Sequence, residues 1–275
     1  MADEDRVLRH YVLNDEAGRL WATPRGELTR RRTWDIFRRF LPESGRVADV
    51  GGGPGTHAAH LAELGHEVVL VDPVPKHIEQ ASALAARSQS GGFSCRLGDA
   101  RGLPLPDAGF DAVLLMGPLY HLAGAADRQL ALREALRVLR PGGRLLAEVI
   151  GRYAWVIDAT TRGLLGDQQV WDTFDLNLRT GLSNTPDRPD EVFWAYFHRA
   201  EEVGPEVELA GFVHERLLAV EGFAGPLGNL DELLREPEAL LRVLRLTESE
   251  PSMLGVSAHL MAVASKPITD ADDDR

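Results

Sequence analysis

The stretch Val47-Ala48-Asp49-Val50-Gly51-Gly52-Gly53-Pro54-Gly55-Thr56 runs a short apolar strand into a cluster of glycines and then into a segment, Thr56–Leu64, with helical spacing. Glycine has no Cβ, so such a turn can be tight and its backbone can approach a ligand closely. In open α/β sheets that approach happens outside the carboxyl ends of the strands. The dinucleotide fingerprint wants a third glycine where the helix begins, and here Thr56 stands there, so the match to that motif is imperfect. A glycine loop that serves only the fold is the plain alternative.

Outward from this turn the pattern alternates. Glu67–Val71 reads as a β-branched strand, Lys76–Arg87 as a helix, Phe93–Leu97 as a short strand and Phe110–Met116 as a buried one. Asp127–Leu139 reads as an amphipathic helix stopped by Pro141, Gly142 and Gly143, with Arg144–Ile150 as the next strand. Strands alternating with helices over short connections predict an α/β fold, a doubly wound, mostly parallel sheet covered on both faces. Residues 1–45 then form an N-terminal helical cap with a helix over Glu27–Phe40, and residues 46–150 the ligand-binding core. The aromatic segment 151–199 reads as a lid-like insertion. The sheet resumes over 200–267 with a helix at Ala200–Ala210, a strand at Val213–Val220, a helix at Asp231–Leu246 and a strand at Val256–Ala264; residues 268–275 form an acidic tail.

Composition narrows the partners. With 30 Lys+Arg against 42 Asp+Glu the formal charge is −12, which disfavours nucleic acid and anionic membranes. The single cysteine, Cys95, rules out an intrachain disulfide framework and fits a reducing cytoplasm. The charged start Met1–Arg9 and the lack of a long apolar run predict neither export nor a membrane span. His57 and His60 lack a third ligand, so no metal is expected.

Three carboxylates stand at strand ends: Asp49, Asp72 (21 residues beyond Gly51) and Asp99 within Gly98-Asp99-Ala100. Each alone is an ordinary turn or cap residue. Together, at one sheet edge, they suit a cationic ligand carrying ribose and adenine better than a pyrophosphate. The run Asp49–Gly55, Asp72, Gly98-Asp99-Ala100 and Leu136-Arg137-Val138-Leu139-Arg140-Pro141-Gly142-Gly143 resembles, in order, the motifs of the class I S-adenosylmethionine-dependent methyltransferases. The resemblance covers about residues 46–150 and implies a seven-stranded Rossmann-like sheet with S-adenosylmethionine as cofactor. It implies that Gly51, Gly52, Gly53 and Gly55 pass near the methionine portion, that Asp72 holds the ribose with Pro73 and His77 beside it, and that Asp99 and Ala100 meet the adenine. Met116 and Gly117 would line the sulfonium side, and Tyr11 would close over the cofactor.

For the acceptor, the segment after the fourth strand offers Tyr120 and His121, and Phe193-Trp194-Ala195-Tyr196-Phe197-His198 offers Tyr196 and His198 on one face. Tyr120, His121 and His198 are the candidate catalytic groups; Tyr153 and Trp171 could add aromatic walls for a flat or cationic acceptor. The bland readings are a capping tyrosine, a hydrogen-bonded buried histidine and an aromatic core strand. The expected reaction is methyl transfer to a small molecule, with an aromatic or indole carbon, as in natural-product biosynthesis, as the first reading. Oxygen, nitrogen or prenyl-chain carbon acceptors are alternatives. An NAD(P)-dependent oxidoreductase or a non-catalytic cofactor-binding partner protein are readings of another class, and a homo-oligomer is compatible with either.

Overall fold

The computed structural model describes residues 10–11, 16–88, 92–183 and 194–268; Phe193, most of the turn-rich segment up to Asp190 and the acidic tail from Thr269 lie outside them. Helix α1 (Pro24–Phe40) is capped by the Thr23 hydroxyl and leads into β1 (Arg46–Val50), α2 (Thr56–Glu63), β2 (Glu67–Asp72), α3 (Pro75–Ala85) and β3 (Ser94–Leu97). There follow β4 (Phe110–Leu115), the single turn α4 (Pro118–His121), α5 (Ala125–Val138) and the long β5 (Leu139–Gly151).

The expected insertion is an ordered unit: α6 (Ala154–Thr161), α7 (Gln168–Thr180), β6 (Leu182–Ser183) and β7 (Ala195–His198). The chain then returns through α8 (Ala200–Leu209), β8 (Val213–Ala219), the short α9 (Leu230–Leu233), α10 (Pro237–Thr247), α11 (Pro251–Leu254) and β9 (His259–Ser265). One helix expected over Asp231–Leu246 is thus two. Pro237 lacks an amide hydrogen and starts a new helix instead of continuing the old one.

Strand pairing gives the order β3-β2-β1-β4-β5-β9-β8, parallel except for β9, which runs antiparallel to both β5 and β8. These are the seven strands expected. Two short strands are added to them: β7 pairs parallel with Ile150 and Gly151 at the end of β5, and β6 pairs antiparallel with β7. Because β4 pairs with β5 only as far as Ala147, β7 takes up the same flank just beyond it.

Strand alternation divides the core. Val113, Leu115, Leu145 and Ala147 face α5 and α8 through Leu132, Ala135, Val203 and Val207. Leu114, Leu146, Met261 and Val263 face α1 and α2 through Ile36, Phe37, Ala58 and Leu61. Among the described residues no helix is long and apolar enough to cross a membrane.

Helix α1 is fixed to the far side of the sheet by buried charge. The fully buried Arg32 guanidinium donates to Asp35 (2.8 Å), Glu248 (2.8 Å) and the Val220 carbonyl (3.0 Å). Nearby, Glu221 accepts from Thr29 (2.7 Å) and pairs with His259 (2.6 Å). Burial alone would raise the Glu221 carboxyl, but His259 and these hydrogen bonds hold it down at about 2. Burial would likewise lower His259, and the Glu221 and Glu148 carboxylates lift it to about 9.

The depressed carboxylate stabilises the fold above its ordinary 4.5 and loses that contribution as pH falls toward about 2. The raised imidazole stabilises below 6.5 and loses its contribution as pH rises through about 9. The loss of melting temperature in His259→Gln should therefore be largest near pH 5–6 and should shrink above about pH 9. A pH-independent difference would show that the pair is not ionised as described.

Candidate active site

The carboxyl edge of the sheet opens into one cavity between the glycine turn and the residues before α1. The turn is built on backbone that only glycine adopts easily: Gly51 has φ +74° and Gly53 φ +55°. A Cβ on Gly51 would stand 2.7 Å from the Pro118 ring, so residue 51 is locked against α4. A Cβ on Gly53 would meet nothing closer than 4.0 Å, because that position faces the cavity.

Asp72 holds this shape. Its buried carboxylate accepts from the Gly53 amide (2.9 Å), the Val74 amide (2.9 Å) and His77 Nδ1 (3.1 Å), joining the glycine turn to the turn after β2. Asp99 is clasped by Arg101 through Nη2 (2.7 Å) and Nε (2.9 Å), and those bonds hold its carboxyl below the usual range. Gly51, Gly52, Gly53, Asp72, Pro73, His77, Asp99, Ala100, Met116 and Gly117 all line the cavity.

Asp49 and Gly55 do not. Asp49 is fully buried beneath the turn, where a Cβ on Gly52 would press to 2.6 Å from its carboxylate. Burial, and then the charge of Asp72, raise Asp49 to about 7. Gly55 is the left-handed N-cap of α2, packed so closely that a Cβ would lie 2.8 Å from the Phe93 ring.

The donor set fits S-adenosylmethionine. Acceptors for ribose hydroxyls and an adenine amine stand at the ends of β2 and β3. The open face of Gly53 leaves room for backbone approach. The first turn of α2 has no side-chain cap, and Thr56 and His57 at its start line the cavity, where backbone amides suit a ligand carboxylate.

The opposite wall is polar. Tyr11 lies edge-on to His77 (ring centroids 4.8 Å apart), and its hydroxyl meets His121 Nε2 at 2.6 Å. Burial lowers His121 to about 4 and raises both Tyr11 and Tyr120, so at neutral pH the imidazole is uncharged and the phenols keep their protons.

Of the lining residues that escaped the sequence analysis, two bear on the chemistry of the site. His57 had been weighed only as a metal ligand, but it lines the cavity and accepts from the Trp34 indole at Nδ1 (3.2 Å). Indole nitrogen only donates, so the His57 proton sits on Nε2, and burial keeps the ring neutral, with a pKa of about 3. Glu148 of β5 is the other. A buried carboxylate amid Leu145, Leu146, Ala147 and Val149 gives no signal in an apolar strand until the register is known.

The remaining candidates stand elsewhere. His198 is buried against Glu206 (2.9 Å), and Tyr196 reaches Glu202 (3.1 Å) under the Arg128 guanidinium. Tyr153 is exposed beside Arg199. The aromatic residues of the insertion meet one another: Trp155 and Trp171 both pack edge-on to Phe174 between α6 and α7. Glu221, after β8, belongs to the buried ion pair with His259 and does not line the cavity.

The model of the methyltransferase domain family matches residues 48–147. The matched span contains the glycine turn, Asp72 and Asp99, so this part of the chain is similar to the S-adenosylmethionine-dependent methyltransferases. It is 34% identical over 133 residues to the O-methyltransferase resE of Aspergillus sclerotiorum, covering 46% of this chain and 49% of that one. It is 28% identical over 236 residues to a demethylmenaquinone methyltransferase of Beutenbergia cavernae, covering 84% and 87%. For the first of these, the chain spans about half the relative's length. Among solved structures, the 1,6-didemethyltoxoflavin-N1-methyltransferase of Burkholderia thailandensis, with 1,6-didemethyltoxoflavin and S-adenosylhomocysteine bound, shares the fold with a TM-score of 0.60. It is 18% identical, and the match covers 98% of this chain and 92% of that one.

Proposed function

We propose that this chain transfers a methyl group from S-adenosylmethionine to a small-molecule acceptor. The observation that carries the reading is that one cavity is lined both by the glycine turn with Asp72 and Asp99 and by Tyr120, His121, His57 and Glu148. Bound there, the cofactor supplies a methyl group activated on a sulfonium sulfur. The chain's own part is alignment: bringing the reacting atoms into line accounts for a large share of such a rate enhancement. Asp72 and the glycine turn fix one side, while Tyr120 and the neutral His57 offer hydrogen-bond donors on the other. This polar wall favours an acceptor with a heteroatom over a prenyl chain, and the aromatic or indole carbon is the second choice. The aromatic residues that would have stacked on it, Trp171 and Tyr153, are absent from the lining.

The test is a screen with methyl-labelled cofactor over phenol, catechol, imidazole, benzylamine, indole and a prenyl alcohol, preceded by calorimetry with S-adenosylmethionine and NAD(P). Binding of the first and labelled product from at least one acceptor are expected. Binding of NAD(P) instead would overturn the assignment.

A further inference from the structure

Among the described residues two buried carboxylates are taken up by no ion pair, Asp49 and Glu148, and of these only Glu148 lines the cavity, Asp49 being sealed beneath the glycine turn. Asp35, Glu206, Glu221 and Glu248 are each consumed by ion pairs with arginine or histidine. Glu148 is only 5% exposed and lines the cavity, yet it enters no hydrogen bond or ion pair among the described residues. The register explains its position. Leu115 of β4 lies opposite Ala147, so Glu148 comes level with Met116, on the side where the cofactor's sulfonium is expected.

We infer that Glu148 is the general base of the transfer, taking the proton from an O–H or N–H acceptor; this rests on the methyltransferase reading above. A buried carboxylate with no hydrogen-bond partner is costly even near the charge of His259, and natural sequences place one inside when a ligand completes it. The competing groups are less suited. Tyr11 and Tyr120 hold their protons, and His121 is already engaged by Tyr11.

The step balances simply. The acceptor lone pair forms the bond to the methyl carbon, the carbon–sulfur bond breaks with its pair going to sulfur, and the acceptor proton moves to a Glu148 oxygen. Burial raises Glu148 above the ordinary carboxyl range. The groups facing it push both ways: His259 on β9 and Arg19 before α1 lower it, whereas Glu221 and Glu16 raise it. A base whose pKa approaches the working pH is the more effective one.

Glu148→Gln keeps the shape and removes the base, and Glu148→Asp keeps a carboxylate with shorter reach. The experiment compares both with the unaltered protein in three measurements. Calorimetry with S-adenosylmethionine should give affinities within about threefold of one another; absence of binding in the unaltered protein would sink the methyltransferase reading itself. Infrared titration should show protonated carboxyl absorption persisting above the ordinary carboxyl range, and the band should lose the Glu148 component in Glu148→Gln while the Asp49 component remains. Transfer to phenol, catechol, imidazole or benzylamine should fall about 100-fold or more in Glu148→Gln, lose its rise with pH, and recover in part in Glu148→Asp. With cofactor bound, three results would each overturn the role: transfer to indole carbon alone, transfer to none of the probes, or an unchanged pH profile in Glu148→Gln.

Discussion

Asp72→Ala is expected to weaken S-adenosylmethionine binding at least about 100-fold by calorimetry, with the chain still folded. Two effects add. The carboxylate accepts from the Gly53 and Val74 amides and from His77, so its removal strands buried donors and releases the turn that shapes the site. Each unsatisfied buried group costs about 1–3 kcal/mol, and a hydrogen bond to a charged partner contributes about 1.5–3. The lost contacts to ribose hydroxyls come on top of that. Asp72→Asn can still accept from one amide and should lie between the two. Affinity close to that of the unaltered protein in a folded Asp72→Ala would remove Asp72 from the cofactor site.

The second large effect is on stability. Asp35→Ala leaves the fully buried Arg32 guanidinium without its Nη1 partner, beside Arg39 and Arg245, which also lean on Asp35. Breaking one partner of a buried ion pair costs about 3–5 kcal/mol, because the other charge stays buried and uncompensated. For a chain of this size that is a fall in melting temperature on the order of 10 °C. The cluster anchors α1 to the carbonyls of Ala219 and Val220 and to Glu248. Since α1 also carries Trp34, cofactor affinity should fall somewhat as well. A shift under about 2 °C would mean that water or a rearranged Glu248 replaces the lost carboxylate.

Local chemistry made the glycine-turn side of the cavity readable in advance. A glycine that must adopt positive φ, or an aspartate at a strand end, announces itself in one short window, as Gly51, Gly53, Asp72 and Asp99 do. The facing wall is assembled across the chain: His57 and Glu148 join Tyr120 there only after α1 and β5 have packed. His198 shows the reverse error, since its sequence neighbourhood cannot show that Glu206, eight residues on, takes up its ring nitrogen. Trp171 and Tyr153 were misplaced for a related reason. Both stand exposed on the insertion, Trp171 edge-on to Phe174 and Tyr153 beside Arg199, and spacing alone does not distinguish a surface aromatic from a pocket wall.

This division of the cavity has an evolutionary consequence. The residues expected to hold the cofactor all fall within 48–147, the span the family shares, apart from Tyr11. Much of the facing wall comes from outside it, with Glu16 and Arg19 before the domain and Glu148 one residue past its end. Drift in those flanking positions could retool the chemistry accepted while leaving the donor site untouched. A library confined to Glu16, Arg19 and Glu148 would explore new acceptors at little risk to the shared core.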